Sequence, residues 1–369
     1  MKFTLLRGLL GAALAASLLQ TSCVDPSEGG GSTSGTSLYV FDGADSPASG
    51  RIRVWNDANT LFTNPAALPD RTLSGAFLDN VQVLGWGGMA MDTASNKLYL
   101  VSEAGDVVRI ERVRSQNGSL SASTDIVKFS LGNGSTDRLA GSKFSQVSFD
   151  PQTNTLYAME TGDSDTRVWV VANPGSYGIN ATVTRQTVGV AGDKRGSGVA
   201  AAQGNLLAYF DDGNPVVNAA DQTQYTGPRL RKGSASGFLL SGYPLVGTSK
   251  TQLRAYGALA YDTGNSQVFL ARHLVDTGAA GPAVLVFKIG QFTSGLDQAP
   301  NTSLGDATLS YLRILAHGGN KDWLAAATSI NGAPAGTLYL WRNPLSATTP
   351  RALDLGPVKI RGLCFDGSN

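Results

Sequence analysis

Cysteine and histidine are scarce in this chain of 369 residues, which has two of each. Two cysteines cannot build a fold held by disulfides or a cysteine-rich zinc module, and two histidines argue against a histidine-rich metal centre. Charge is also sparse: 15 % of the residues are charged, with 29 Lys and Arg against 28 Asp and Glu. Because there is no excess of positive charge to hold phosphates, we expect no nucleic-acid partner.

Long hydrophobic runs are missing as well. The longest, residues 9–19 (LLGAALAASLL), is shorter than the ~20 residues that a transmembrane helix needs. It follows a short positive region containing Lys2 and Arg7. This arrangement predicts a secretory signal peptide, which is removed from the mature protein.

The hydrophobic run ends in LQTSC at residues 19–23, which resembles the cleavage site of bacterial lipoproteins. The resemblance implies cleavage before Cys23, which then carries the acyl chains, palmitate among them, that hold the protein at a membrane. Val24 follows the cysteine, and the family's sorting habit then favours the outer membrane. The alternative is ordinary signal-peptidase cleavage near residues 15–17, which leaves a soluble secreted or periplasmic protein.

The predicted organisation has three parts. Residues 1–22 form the signal peptide, residues 23–37 form a lipid-anchored flexible linker, and residues 38–369 form one folded domain. The linker (VDPSEGGGSTSGTS at 24–37) is rich in Gly, Ser and Thr and has no apolar pattern. Such a coil has a root-mean-square reach of about 20 Å.

Glycine is the residue in excess, 45 of 369, and 42 % of the chain is apolar, enough for a large core. The apolar residues fall into a repeat: a small residue, three or four apolar positions, a turn, then an aromatic-rich strand. GGMAMDTASNKLYLV from residue 87 and QVSFDPQTNTLYAME from residue 146 are two copies. The aligned turn positions, 50 to 59 residues apart, are Asp92, Asp150, Gln203, Asp262, Ala316 and Asp366.

A period of this length made only of short strands predicts a propeller with one four-stranded blade per repeat. The last turn, at Asp366, lacks its second strand, and residues 37–41 (SLYVF) supply such a strand at the start of the domain. We therefore predict an all-β, six-bladed β-propeller closed by pairing of the N-terminal strand with the C-terminal blade, which hides both end edges. Third strands are expected at residues 51–55, 107–113, 167–172, 283–289 and 337–342, with blade 4 irregular over 226–251.

Residues 38–369 resemble, in architecture, the six-bladed propellers of the broad NHL, YVTN and gluconolactonase-like kind. Fold likeness alone does not carry function. In gluconolactonase-like enzymes acidic and amide side chains, a Glu prominent among them, hold a metal in the central channel. The corresponding inner-strand starts of this chain contain no Glu, which counts against the enzyme interpretation; they are Gly88, Gln146, Gly198, Gly257 and Gly362.

One candidate ligand site is the mouth of the channel, where the inner strands begin. Aromatic residues beside arginines are suited to a sugar, a peptide or an anionic small molecule. The alternative is that these aromatics pack between blades. The candidates are Trp86, Phe144, Tyr256, Tyr311, Arg195, Arg254 and Arg361.

A second candidate is a rim of carboxylates in the loops between second and third strands, suited to a hard cation such as Ca²⁺. The best loops contain Asp163, Asp165, Asp211 and Asp212, while Asp42, Glu103, Asp106 and Glu160 fall in the same class of loop. The alternative is that these are solvated turn acids. The turn residues Asp92, Asp150, Asp262 and Asp366 are expected to bond their own turn backbone.

No catalytic constellation is found in the sequence. His273 and His317 are expected on opposite faces, His317 within a turn, and no nucleophile elbow is present. The sequence therefore favours a membrane-anchored envelope lipoprotein whose propeller binds or scaffolds an envelope protein or glycan. The alternative function is a divalent-metal-dependent hydrolase or lactonase.

Overall fold

The structure is a computed structural model. The chain divides into Met1–Ser32 and Thr33–Asn369, and every described residue belongs to the second unit. The structure describes residues 35–43, 50–79, 88–189, 194–210, 228–238, 245–246, 256–272, 282–293, 299–305, 309, 312–318, 323–328, 336–356 and 358–367.

Short strands dominate the second unit. Its strands, in chain order, are β1 Ser37–Asp42, β2 Arg51–Trp55, β3 Arg71–Ser74, β4 Met89–Asp92, β5 Lys97–Val101, β6 Asp106–Glu111, β7 Gly118–Ser119, β8 Ile126–Leu131, β9 Lys143–Asp150, β10 Thr155–Thr161, β11 Thr166–Ala172, β12 Thr182–Val183, β13 Thr187–Val188, β14 Gly196–Ala202, β15 Asn205–Phe210, β16 Arg229–Ser234, β17 Gly237–Phe238, β18 Leu245–Val246, β19 Tyr256–Asp262, β20 Gln267–Arg272, β21 Val284–Lys288, β22 Thr302–Leu304, β23 Leu312–Gly318, β24 Trp323–Thr328, β25 Thr337–Arg342, β26 Arg351–Asp354 and β27 Ile360–Asp366.

Helices are few and short in the described part of the chain. They are α1 Ala58–Thr63, α2 Ala76–Asp79, α3 Gly134–Asp137 and the 3₁₀ turns Pro174–Ser176 and Ile289–Thr293. Among the described residues, no helix has the length and hydropathy to cross a membrane.

The strands form six antiparallel sheets, the blades of a six-bladed β-propeller, which confirms the predicted fold. Numbered from the N-terminus, blade 1 is β27-β1-β2-β3, blade 2 is β4-β5-β6-β8 and blade 3 is β9-β10-β11-β13. Blade 4 is β14-β15-β16-β17, with β18 also on β16; blade 5 is β19-β20-β21-β22 and blade 6 is β23-β24-β25-β26. The first strand named in each blade is its inner strand.

The predicted ring closure is confirmed. The N-terminal strand β1 pairs with the C-terminal strand β27, so that Ser37 lies opposite Asp366 and Tyr39 opposite Cys364. One blade is therefore shared by the two ends of the chain. Both terminal strands gain a hydrogen-bonded neighbour, and β1 lies between β27 and β2 rather than at a sheet edge.

The third strands lie close to their predicted places. Those of blades 1 and 6 have the predicted bounds, and those of blades 2, 3 and 5 differ by one or two residues at an end. The irregular stretch in blade 4 contains β16, followed by the tight hairpin to β17 and a second pairing to β18. The described part of this irregular stretch therefore forms the outer strands of the blade.

One predicted turn position was wrong. In blade 4 the predicted position is confirmed: Ala202 is the last paired residue of the inner strand, and Gln203 and Gly204 form a two-residue turn in which both φ angles are positive. In blade 6 the last paired residue is Gly318, two residues beyond Ala316. The error arose because the repeat is weak in blade 6, so its register relative to the other blades was not defined by the sequence.

The core consists of six apolar layers, one between each pair of neighbouring blades. Because strand side chains alternate, each strand contributes to both of its flanking layers. Leu38 faces blade 6 and Tyr39 faces blade 2, and both are fully buried. Burial on both sides of every blade explains why the strand repeats contain so few polar positions.

The two faces of the ring differ in their connections. On the turn face, inner strands end and second strands begin, through residues 93–96, 151–154, 203–204 and 263–266. On the loop face, second strands lead to third strands, through residues such as 102–105 and 162–165, and successive blades are joined.

The connections from third to fourth strands contact the preceding blade. In blade 1 this connection contains α1, whose Phe62 ring lies 5.6 Å from the ring of Trp323 in blade 6. In blades 2 and 3 it contributes β7 and β12, which pair in parallel with β3 and β8 of the blade before. These contacts stabilise the rim of the ring.

Candidate functional site

The six inner strands surround a central cavity of about 310 Å³, and all six contribute to its lining. The lining residues come from the second half of each inner strand, so the cavity lies toward the turn face. Thr93, Pro151, Thr263 and Gly367, which follow inner strands, are at its rim. The mouth is therefore on the face opposite to the one that the sequence predicted for a ligand.

The wall of the cavity combines small apolar side chains with backbone. Each inner strand ends its sheet, so the N–H and C=O groups along its free side have no strand partner. None of the described lining residues is Asp, Glu, Lys or Arg. Burial raises the pKa of the Cys364 thiol, and so does the nearby Asp366 carboxylate.

Gln146 lines the cavity at the end away from the turn face. Its Nε2 donates to the carbonyl oxygen of Leu259 at 2.6 Å, and its Oε1 accepts from the N–H groups of Val199 and Leu259 at 2.9 and 3.2 Å. One buried carboxamide thus joins the inner strands of blades 3, 4 and 5. The sequence analysis placed Gln146 at an inner-strand start but did not foresee this role.

Glycines allow the inner strands to approach each other beside this carboxamide. A Cβ at Gly198 would lie 2.0 Å from the carbonyl oxygen of Gly257, and one at Gly362 would lie 2.9 Å from the Cβ of Met89. The small residues noted at the inner-strand starts are therefore explained by close packing at the axis.

Phe144 is placed at the start of inner strand β9, and its ring is fully buried. The ring centroid lies 6.2 Å from that of Trp169, and the Arg138 guanidinium lies over it at 5.9 Å. The structure therefore gives Phe144 a packing environment inside the protein, and its use by a ligand stays a prediction.

The other described members of the predicted aromatic and arginine site also lie at inner-strand starts. Arg195 is exposed, with a positive φ of 51°, immediately before β14. Arg361 is half-buried over Gly43, whose carbonyl oxygen accepts from Nε at 3.5 Å. Tyr256 begins β19, opposite Arg272. Trp86, Arg254 and Tyr311 lie outside the described residues.

The predicted metal ligands are only partly described. Asp163 and Asp165 are exposed in the loop between β10 and β11. Asp163 lies against Gly141, while Asp165 accepts from the N–H of Thr166 at 2.8 Å. Asp211 and Asp212, like His273 and Cys23, lie outside the described residues. Within the described ranges, no three His, Cys, Asp or Glu side chains are grouped to hold a metal ion.

Glu160, from the same loop class, has a structural environment. Its carboxylate is fully buried and accepts from the Arg167 Nε and the Trp169 Nε1 at 2.6 Å each, and from the Leu139 N–H at 2.8 Å. Three donors, one of them charged, compensate for the loss of water around the carboxylate.

The remaining described rim carboxylates are paired with cations. Asp42 is buried and contacts Arg53 at 3.2 Å and Arg51 at 3.5 Å. Two other ion pairs are more exposed: Asp106 with Lys128 at 3.0 Å and Glu103 with Lys143 at 3.5 Å. These acids are spread around the loop face, each near its own cation.

Three of the four turn aspartates bond their own turns, as predicted. Asp92 accepts from the N–H of Ser95, and Asp262 accepts from the N–H groups of Gly264 and Asn265 at 2.9 and 3.1 Å. Asp150 accepts in the same way from the Gln152 N–H at 3.1 Å.

The turn aspartates also reach the next blade, which the sequence analysis missed. Asp150 accepts from the N–H of Gly204 in blade 4 at 2.8 Å. Asp366 of blade 1 forms a bidentate pair with Arg114 of blade 2, at 2.6 and 3.0 Å. The recurrence of Asp at this position was the available signal, but the partners lie on other repeats.

His317 lies in strand β23 rather than in a turn, contrary to prediction. Its ring is stacked on Phe269 of blade 5, with centroids 5.4 Å apart and an interplanar angle of 17°. Its Nε2 lies 3.8 Å from the Oδ2 of Asp262, and both side chains are buried. The Phe149–Tyr99 stack occupies the same place between blades 3 and 2, so His317 takes an aromatic packing position.

Comparison with known proteins gives the fold and no family. No protein-family model matches the chain, and no curated protein matches it. A chain of a nidogen/laminin complex covers 91 % of this chain and all of its own length, with 11 % identity and a TM-score of 0.52. At this identity the likeness shows the propeller fold alone.

Two further solved structures have lower TM-scores. The β-propeller domain of Cps50 (Swd1) from Myceliophteria thermophila has 12 % identity and a TM-score of 0.44, covering 87 % of this chain and 84 % of its own. The computationally designed Ika8 protein has 14 % identity and a TM-score of 0.41, covering 87 % and 73 %.

Proposed function

We propose that this chain is a cell-envelope lipoprotein whose propeller is a binding or scaffolding module. Cys23 carries the lipid, the residues from 24 up to the start of the folded ring at Thr36 form the leash, and the loop face receives an envelope protein or glycan partner. The lipoprotein-like sequence at residues 19–23 supports the anchor. A six-bladed ring is compatible with such a module.

The proposal is supported by the position at which the leash joins the ring. Ser37 begins β1 opposite Asp366, at the turn-face end of blade 1. Just before it, the carbonyl oxygen of Thr36 accepts from the N–H of Ala58 at 2.8 Å. A leash that starts on the turn face leaves the loop face on the far side of the domain, free to meet a partner.

The exposed chemistry of the loop face supports a polar partner. Lys143, Asp163, Asp165, Lys194 and Arg195 are exposed there, and they carry both signs of charge. Mixed exposed charge contributes to partner selection and to the rate of encounter more than to raw affinity. The described turns between inner and second strands contain no Asp, Glu, Lys or Arg, and the exposed charges of that face, such as Arg112 and Arg185, lie in the connections from third to fourth strands.

A metal-dependent hydrolase requires carboxylates that converge on the channel. Instead, each of four described rim acids lies against a cation of its own; they are Asp42, Glu103, Asp106 and Glu160. The channel itself is narrowed by Gln146 and by the Gly198–Gly257 contact.

The anchor is tested by labelling with radioactive palmitate and by fractionating cells that express the full chain. Cys23→Ala is expected to abolish labelling and to move the protein from the membrane fraction to the soluble fraction. Cys364→Ala, which changes the only other cysteine, is the matched control and is expected to stay labelled and membrane-bound. Membrane retention of unlabelled Cys23→Ala would contradict the lipid anchor.

The binding face is tested separately by photo-crosslinking in intact cells. A crosslinker placed at Asp163 or Lys194 samples the loop face, and one at Gln152 or Asn265 samples the turn face; all four residues are exposed. We expect a discrete adduct of an envelope component from the loop-face positions. An adduct found only from the turn face would contradict the assignment of the binding face.

A further inference from the structure

The central cavity is a pocket whose lining chemistry differs from that of the loop face. It lies between the inner strands, Gln146 lines it at the end away from the turn face, and its rim is on the turn face. This pocket is independent of the loop face and of the lipid anchor, so it is not explained by the proposed function.

The polar groups of the pocket are neutral donors and acceptors. The free sides of six inner strands direct N–H and C=O groups toward it. The Ser148 hydroxyl, half-buried in the lining, accepts from the N–H of Ala201 at 2.9 Å. Thr93 and Thr263 add hydroxyl groups at the rim. Donors and acceptors alternating around one space suit a molecule that has many hydroxyl or amide groups.

Charge is missing from the described lining, and this selects against ionic ligands. A charged molecule in the pocket would lose water without meeting a compensating charge, which is costly. His317, which also lines the pocket, is occupied by its stack on Phe269 and by its proximity to Asp262 in the wall. A neutral ligand has no such cost.

Aromatic surface is present beside these polar groups. Tyr261 of blade 5 lines the pocket, as does an edge of Phe149 of blade 3, whose ring is buried in the stack with Tyr99. Tyr261 is half-buried, and burial raises the pKa of its phenol, as does the nearby Asp262 carboxylate, so the hydroxyl stays neutral. The apolar faces of sugar rings pack well on such side chains.

Size narrows the choice further. Small-molecule pockets span about 300 to 1,000 Å³, and this pocket, at about 310 Å³, lies at the lower limit. One sugar ring fits this volume, whereas a longer oligosaccharide has to extend beyond the mouth.

We propose that the central pocket binds a neutral, hydroxylated molecule of monosaccharide size, entering from the turn face. Backbone groups of the inner strands supply hydrogen bonds, and the walls exclude charged analogues. The proposal holds whether or not Cys23 is lipidated.

The test is isothermal titration calorimetry with the full chain and two matched pairs of sugars. N-acetyl-D-glucosamine and D-glucose are the neutral probes, and D-glucosamine and D-glucuronate are their charged counterparts. We expect saturable binding of at least one neutral sugar and at least tenfold weaker binding of its charged counterpart. Absence of saturable binding by both neutral sugars, or equal binding of the charged ones, overturns the proposal.

A pair of neighbouring variants locates the site. Thr93→Trp places a large ring at the rim, whereas Ala94→Trp places it on the next residue of the same exposed turn, outside the lining. Thr93→Trp is expected to weaken binding at least tenfold and Ala94→Trp to leave it unchanged. If Thr93→Trp does not fold by circular dichroism, Thr263→Trp replaces it. Wild-type affinity in a folded rim variant overturns the location.

Discussion

The guanidinium of Arg114 and the carboxylate of Asp366 form a bidentate pair, with Nε–Oδ2 and Nη2–Oδ1 distances of 2.6 and 3.0 Å. Arg114 lies in the outer connection of blade 2, and Asp366 ends the inner strand of blade 1. The pair therefore fixes the last residue of the closing strand to the neighbouring blade. The Asp366 side chain is only 5 % exposed, so this carboxylate depends on its partners.

Removing this guanidinium is expected to destabilise the ring. Arg114→Ala should lower the free energy of unfolding by about 2–3 kcal/mol, because a buried carboxylate loses a charged, two-bond partner. Arg112→Ala is the control, since Arg112 is 65 % exposed and its single contact to Asp125 is 3.4 Å long; we expect it to cost under about 0.5 kcal/mol. Urea unfolding measures both, and equal effects would contradict the closing role of Arg114.

The carboxamide of Gln146 is expected to contribute more to the free energy of unfolding than an exposed carboxamide does. Gln146→Ala leaves buried backbone groups of Val199 and Leu259 without their partner, at a cost of about 2–4 kcal/mol in the free energy of unfolding. Gln152→Ala, in the exposed turn after the same strand, should be nearly neutral. Denaturant titration distinguishes the two, and a neutral Gln146→Ala would show that water replaces the carboxamide without loss.

Close packing at the axis predicts that substitution of a glycine there costs more stability than substitution of a glycine in an open position. In Gly198→Ala the new Cβ would meet the Gly257 carbonyl at 2.0 Å, so the inner strands of blades 4 and 5 must separate. We expect loss of at least about 2 kcal/mol of stability or failure to fold. Gly178→Ala is the matched control, with no atom within 4 Å of the added Cβ. A thermal melt of Gly198→Ala that matches the wild type would contradict the close contact.

The buried phenol of Tyr39 predicts that the protein loses stability at alkaline pH. Burial raises the pKa of Tyr39 to about 12, although Arg71 opposes the shift. The unfolded chain loses this proton near pH 10, whereas the folded protein retains it. The contribution of Tyr39 to stability is therefore complete below about pH 10 and is lost as the pH rises toward 12.

The variant Tyr39→Phe tests this expectation. Its free energy of unfolding should fall less steeply with pH between 10 and 12 than that of the wild type, by up to about 1.4 kcal/mol per pH unit. Below pH 9 the two slopes should agree. Parallel curves across the alkaline range would show that Tyr39 titrates normally in the folded protein.

The sequence predicts structure formed by residues that are close along the chain better than contacts between residues that are far apart along it. The strand repeat is local: LYLV at residues 98–101 and LYAM at residues 156–159 form second strands whose side chains alternate between two layers. Ring closure was also predictable, because the missing strand after Asp366 and the extra strand at Ser37 match.

The candidate site was less predictable, because its contacts join distant repeats. Gln146 and Leu259 are 113 residues apart, and Arg114 and Asp366 are 252 apart. The repeat gives no register between blades, and the turn predicted at Ala316 lies further along the chain, after Gly318. Glu160 showed the same limit: it was assigned to a loop, whereas it lies in strand β10, buried against Arg167 and Trp169.

The sequence by itself determined the number of blades, the order of strands and the strand that closes the ring. These follow from local periodicity and from one unmatched strand at each end. The tertiary structure alone decided that Gln146 joins the inner strands of three blades, that the cavity opens toward the turn face and that Asp42, Glu103, Asp106 and Glu160 each pair with a cation of their own. The physical reason is that the blade-to-blade distance at the axis depends on which side chains of different repeats meet there. Local pattern fixes each blade, whereas the width of the channel is fixed by packing between them.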